Sequence, residues 1–169
     1  MAEPSLRELV TPGRCAVVVM EMQRGIVGDL ACIPQLAKAV AEAGVIANTA
    51  RLLRANGFVV KTFPSPRAFL EGTPREATGC VIVDLRMPGM DGLDVQAALA
   101  DASYSLPIVF LTGHGDIPTS VQAMRGGAED FLEKRAPKEQ LGAAVRRAID
   151  RHDRDRARDK DPRIRELRR

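Results

Sequence analysis

Residues 81–93 read VIVDLRMPGMDGL. Four aliphatic or acidic residues end at Asp84, a Met87-Pro88-Gly89 turn follows, and Asp91-Gly92 open the next segment. An unbroken aliphatic run of this length, closed by Pro and Gly, is the pattern of a strand buried on both faces. Similar runs lie on either side: CAVVVMEM at Cys15–Met22, FVVKTF at Phe58–Phe63, PIVFLT at Pro107–Thr112 and the shorter EDFLEK at Glu129–Lys134.

Helical patterns fill the gaps. NTARLLRAN at Asn48–Asn56 is followed by Gly57, a C-terminal stop. Ser65-Pro66 pairs a capping hydroxyl with Pro at the first helical position. Asp91–Ala102 places Leu93, Val95, Ala98 and Leu99 on one side, and Ile117–Arg125 ends at Gly126-Gly127. Pro137–His152 spaces Leu141, Val145 and Ile149 four apart. Five βα units joined by right-handed crossovers predict an α/β fold, a doubly wound five-stranded parallel sheet with helices on both faces.

Composition agrees. The chain has 169 residues, 45% of them hydrophobic but only 4% aromatic, so the core is aliphatic. No apolar stretch approaches the roughly 18 residues that span a bilayer, and the polar start MAEPSLRELVTPGR has no signal-peptide pattern. Cys15, Cys32 and Cys80 are widely spaced and form no metal-ligand pattern; they read as buried thiols of a cytoplasmic protein. The net charge of +3 belongs to the tail, where residues 151–169 carry nine Arg or Lys against five Asp or Glu. Aspartates alternate with those arginines, and no recognition helix follows, so specific nucleic-acid binding is not expected.

In an open α/β sheet, functional residues gather at the carboxyl ends of the strands. Those ends carry Glu21, Asp84, Thr112 and Lys134. A carboxylate there can attack a phosphoryl donor while a lysine and a hydroxyl receive the phosphate oxygens. Taken singly, a strand-end Asp is more often a cap, Lys134 a solvated charge and Thr112 a β-branched strand residue.

The order and spacing of these stretches resemble a bacterial response-regulator receiver domain over about residues 52–150. VIVDLRMPGMDGL is similar to its phosphorylation loop, PIVFLTGHGD at 107–116 to the strand with the switch threonine, and AMRGGAEDFLEK at 123–134 to the strand with its lysine. The resemblance implies a flavodoxin-like sheet in the order 2-1-3-4-5. It also implies Asp84 as phosphoacceptor, Lys134 and Thr112 as its catalytic partners, and Thr112 and Phe131 as switch residues. Mg²⁺ would be held by Glu21, Asp84 and the main-chain carbonyl of Arg86. The implied partners are a sensor histidine kinase or a small phosphodonor, and an effector meeting the fourth and fifth helices, with homodimerisation open. A signalling module rather than an enzyme is expected.

Two departures qualify this. The family ends its first strand with adjacent acids, whereas Val19-Met20-Glu21-Met22 offers one, flanked by thioethers that suit Mg²⁺ poorly. The family also has Pro after the lysine, usually through a cis peptide. Arg135 stands here, so either a trans peptide alters the loop or strain remains, and Lys134 is displaced in consequence.

The segment RCAVVVMEMQRGIVGDL at 14–30 with GVIANTARLL at 44–53 resembles the opening of isochorismatase-like cysteine hydrolases. The chain therefore reads as a chimera joined near Arg51–Phe58. The expected organisation is an N-terminal extension at 1–13, a receiver-like domain at 14–150 with an atypical first βα unit and an insertion at 23–45, and a charged tail at 151–169. The alternatives are a receiver scaffold without phosphotransfer and, less favoured, a cysteine-hydrolase-like enzyme.

Overall fold

The computed structural model describes residues 15–19, 47–87, 89–113 and 117–159. The strands are β1 (Cys15–Val19), β2 (Val59–Phe63), β3 (Cys80–Asp84), β4 (Ile108–Thr112) and β5 (Asp130–Glu133). The helices are α1 (residues 47–55), α2 (Pro66–Gly72), α3 (Gly92–Asp101), α4 (Ile117–Arg125) and α5 (Lys138–Asp159). The strands form one parallel sheet in the order β2-β1-β3-β4-β5. The expected fold and strand order are thus those observed, with β1 inside the sheet.

Alternation along the central strands explains why they read as continuous aliphatic runs. In β3, Val81 and Val83 face one core while Cys80 and Ile82 face the other. In β4, Ile108 and Phe110 join the first, and Val109 and Leu111 the second. The first core is closed by Phe69 of α2, Val95 and Leu99 of α3, and Ala123 of α4. The second is closed by Ala50 and Leu53 of α1 and by Leu141, Val145 and Ile149 of α5. Each fully buried Val or Leu contributes on the order of 1.5–3 kcal/mol relative to exposure.

Helix ends follow the sequence signals. Ser65 caps α2, its hydroxyl accepting from the Ala68 N–H at 3.2 Å, with Pro66 in the first turn. Asp91 caps α3 by accepting from Leu93 and Asp94, while the Asp94 carboxylate accepts from the Asp91 N–H. Gly57 has φ +84°, the left-handed conformation that ends α1, and Phe58 N–H reaches back to the Leu53 carbonyl.

One boundary differs from the sequence reading, that of the last helix. The described part of the first strand stops at Val19, and Glu21 and the insertion at 23–45 lie outside the described residues. At the other end, α5 continues to Asp159. The beginning of the charged tail is therefore helix. It packs because His152 is buried against the domain and Arg156 donates to the Glu76 carbonyl at 3.0 Å.

Candidate functional site

Parallel register sets the site. Asp84 is the last residue of β3 and lies opposite Leu111, one residue before Thr112 at the end of β4. Thr112 lies opposite Glu133, and Lys134 follows directly, its N–H donating to the Thr112 carbonyl at 2.7 Å. Three neighbouring strands thus deliver the carboxylate, the hydroxyl residue and the amine to one edge of the sheet.

The Lys134 ammonium donates to Asp84 Oδ2, forming an ion pair whose side chains are only 16% and 12% exposed. The other carboxylate oxygen, Oδ1, accepts from the Arg86 N–H at 3.2 Å. An aspartate bonding the amide two residues on is a local turn signal, readable in principle from Asp84-Leu85-Arg86. Thr112 is fully buried. Phe131 is half-buried, with its ring 5.9 Å from that of Phe110, so the aromatic on β5 leans on the core beside the site.

Gly92 lets the phosphoacceptor candidate sit where it does. A Cβ there would lie 2.6 Å from the Asp84 carbonyl oxygen and 2.9 Å from the Phe110 ring, and its N–H donates to the Leu85 carbonyl at 2.9 Å. The start of α3 is thereby pressed against the end of β3.

Arg135 does not displace Lys134. There is no cis peptide among the described residues, and Lys134 still reaches Asp84. The Arg135 side chain is exposed and turns to Glu133, Nε to Oε2 at 2.6 Å.

An ionised carboxylate offers about four acceptor positions. Lys134 and the Arg86 N–H occupy two of those on Asp84. Hard oxygen donors, one or two carboxylates with a carbonyl and retained water, are the set Mg²⁺ accepts. Asp84 and the Arg86 carbonyl suit it. Among the described residues no three acidic, His or Cys side chains cluster as a metal site, and Glu21 lies outside them.

Cys80 opens β3, at the end of the strand away from Asp84, and is fully buried, which removes it as an accessible nucleophile. Among the described residues no helix is long and apolar enough to cross a membrane.

The response regulator receiver domain family matches residues 42–146. The response regulator protein TmoT of Ectopseudomonas mendocina is 48% identical over 98 residues, covering 58% of this chain and 44% of that protein. The transcriptional regulatory protein FixJ of Bradyrhizobium diazoefficiens is 43% identical over 98 residues, covering 58% and 48%. The chain therefore spans about half the length of these curated relatives. Among solved structures, the response regulator StyR aligns with a TM-score of 0.70 at 33% identity, over 92% of this chain and 69% of that one. The FixJ-N structure aligns with a TM-score of 0.66 at 31% identity, over 83% and 96%. Residues 44–53, read above as hydrolase-like, fall inside the receiver match, so the similarity found there is to receivers, and the chimera reading gains no support. By the match over more than half its length, the chain belongs to the response regulator receiver domain family, the signal-receiving module of phosphorelays.

Proposed function

We propose that Asp84 accepts a phosphoryl group and that Lys134 and Thr112 serve the transfer. The observation that carries this reading is the buried Asp84–Lys134 pair where β3 and β5 end. One Asp84 oxygen attacks the donor phosphorus, forming an acyl phosphate. The bond from phosphorus to the leaving group breaks, and the leaving group departs with the electron pair and takes a proton from solvent. Lys134 exchanges its contact with the carboxylate for one with a phosphoryl oxygen. Thr112 turns its hydroxyl to a second oxygen, and the space so vacated lets Phe131 change its packing against Phe110. Charge stabilisation by such pre-placed donors is worth roughly 10²–10³-fold per donor in rate.

Mg²⁺, held by Asp84, the Arg86 carbonyl and Glu21, would neutralise charge on the phosphoryl oxygens. A sensor histidine kinase is the natural donor, and the work takes place in the cytoplasm. An effector would meet α4 and α5, where Ile117, Val121 and Met124 are exposed on one helix. Homodimerisation through the same face is compatible with this.

A second reading, a receiver scaffold without phosphotransfer, is favoured by one feature: the first strand offers Glu21 where the family has a pair of acids. Incubation with acetyl phosphate and graded Mg²⁺, followed by intact-mass measurement, separates the two. The proposal expects an added phosphoryl group that is acid-stable, hydroxylamine-labile and absent in Asp84→Asn. No adduct, and no beryllofluoride binding at any Mg²⁺ concentration, would leave the scaffold reading.

A further inference from the structure

The receiver match ends at residue 146, but α5 runs on to Asp159. One side of its outer turns keeps contact with the domain. Arg151 pairs with Glu129 at 3.0 Å, Arg156 donates to the Glu76 carbonyl at 3.0 Å, and between them His152 is 2% exposed. These contacts lie on the floor of the sheet, opposite the Asp84 edge, since Ser105 precedes β4 and Thr112 ends it.

His152 has one hydrogen bond, from Nδ1 to the Ser105 carbonyl at 2.9 Å. A carbonyl only accepts, so Nδ1 carries the proton, and in the neutral ring Nε2 is bare. Nε2 is buried and finds no hydrogen-bond partner among the described residues. The acceptor is held firmly in place. Ser103 adopts φ +58° in the turn after α3, and the Tyr104 hydroxyl donates to the Thr73 carbonyl at 2.8 Å. A cavity of about 180 Å³ adjoins His152, lined also by Tyr104, Gly126 and Asp155.

We propose that the outer turns of α5, about residues 150–159, are a proton-released latch: neutral His152 pins them to the Ser105 carbonyl, and protonation of Nε2 frees them. Protonation creates a buried N–H and a buried charge with no acceptor in place among the described residues. Release hydrates both. The surrounding charged and titratable groups are mixed in sign. Arg151, Asp153, Asp155 and Arg156 lie on α5, Tyr104 comes from the turn after α3, and Glu76 and Glu129 meet the helix through Arg156 and Arg151. Asp155, which lines the cavity beside His152, is paired with Arg151, Oδ2 to Nε at 3.8 Å.

Burial, opposed in part by the Ser105 carbonyl and reinforced by Arg156, holds His152 below its ordinary value of 6.5. A lowered folded-state value means that the docked state is fully favoured above the free value. It loses that advantage as pH falls from there towards the docked value. The latch is therefore closed at neutral pH and opens in mild acid. Opening removes the constraint on the direction in which α5 leaves the domain.

The test is hydrogen–deuterium exchange of the full chain from pH 8 to pH 5, corrected for intrinsic exchange, with wild type, His152→Asn and Arg156→Ala. Asn keeps a donor for the Ser105 carbonyl but does not titrate. In wild type the opening constant of residues 150–159 should rise by up to about tenfold per pH unit below about pH 6.5. Amides of β3 and β4 should keep their protection, and His152→Asn should be flat with pH. Arg156→Ala should raise opening at every pH and keep the rise in acid, but with that cation gone His152 is less depressed, so the rise levels off at a higher pH than in wild type. A flat wild-type profile, protection that increases in acid because Asp155 captures the new N–H, loss in step with β3 and β4, or a slope abolished by Arg156→Ala would each overturn the proposal. Should His152→Asn not fold, the wild-type and Arg156→Ala profiles decide alone.

Discussion

Replacing Lys134 by Met tests the centre of the site. The substitution keeps most of the apolar stem and removes the ammonium, with its charge and its N–H donors. The Asp84 carboxylate, 12% exposed, then loses its partner on Oδ2 and, among the described residues, keeps the Arg86 N–H on Oδ1. Removing one member of a fully buried pair costs roughly 3–5 kcal/mol. Residual exposure and the surviving N–H bond reduce this, and about 1–3 kcal/mol of lost stability is expected. That corresponds to a melting point lower by several degrees for a domain of this size. Urea denaturation of wild type, Lys134→Met, Asp84→Asn and the double variant gives the coupling directly. It should exceed about 1 kcal/mol, because the double variant leaves no unpaired charge. Acetyl phosphate labelling of Lys134→Met should slow by roughly 10²-fold or more, since the cation is then missing when charge develops on the phosphoryl group. If Lys134→Met matched wild type in stability and the cycle were additive within about 0.5 kcal/mol, the pair would be a solvated contact, and the mechanism built on it would fail.

Three further outcomes follow from close contacts. Gly92→Ala places a methyl group 2.6 Å from the Asp84 carbonyl oxygen and should cost about 1–3 kcal/mol in urea denaturation, by pushing α3 off β3. Gly126→Ala drives a Cβ to within 2.6 Å of the Gln96 amide, whose Nε2 donates to the Ala123 carbonyl at 2.9 Å; in a double-mutant cycle Gln96→Ala should offset part of that loss, with a coupling of about 0.5–3 kcal/mol, and strict additivity would contradict the contact. Cys80 is fully buried and should resist alkylation in the native protein, then label on unfolding; rapid native-state labelling of its peptide would contradict the packing of β3.

The central strands β3 and β4 were legible because burial on both faces confines their charged and hydroxyl residues to the last position, Asp84 and Thr112. Cys80–Asp84 and Ile108–Thr112 are buried at every position, so their sequences are continuous aliphatic runs of strand length. Ser65-Pro66, Gly57 and Asp91 were legible because caps and stops act within a few residues of chain. The outer turns of α5 were not, because RHDRDRARDKD averages to a solvated composition. The apolar stripe nevertheless continues through Leu141, Val145, Ala148, Ile149 and His152, and Arg156 follows four residues later on the same side. A histidine and an arginine stem can extend a packed face, and hydropathy counts both as surface. Gln96 was missed for a related reason. It is polar but buried, since Gly126 leaves room for its amide against the end of α4, a match of two residues distant in sequence.

Arg135 shows how position is inherited within the site. The sequence suggested that losing proline after Lys134 would shift the lysine. Its placement, however, is settled before the chain reaches residue 135. Phe131, Leu132 and Glu133 lie in register with Phe110, Leu111 and Thr112, and the Lys134 N–H bonds the Thr112 carbonyl. The ladder puts Leu132 at the level of Asp84 and so carries Lys134 just beyond it, from where its side chain reaches the carboxylate, and a turn closed by Ala136 N–H on the Glu133 carbonyl absorbs the change downstream. Glu133 then draws the extra guanidinium away from the pocket. By the same logic, the acid at the end of the first strand depends on the register of β1. Val19 lies opposite Val83, the residue before Asp84, and Glu21 is outside the described residues. The expectation that one longer carboxylate, Glu21, does the work of two in holding Mg²⁺ rests on ligand number, since Mg²⁺ takes few protein ligands and keeps several waters. The half-saturating Mg²⁺ concentration for acetyl phosphate labelling, compared between wild type and Glu21→Gln, tests that expectation: an unchanged value would remove Glu21 from the ligand set.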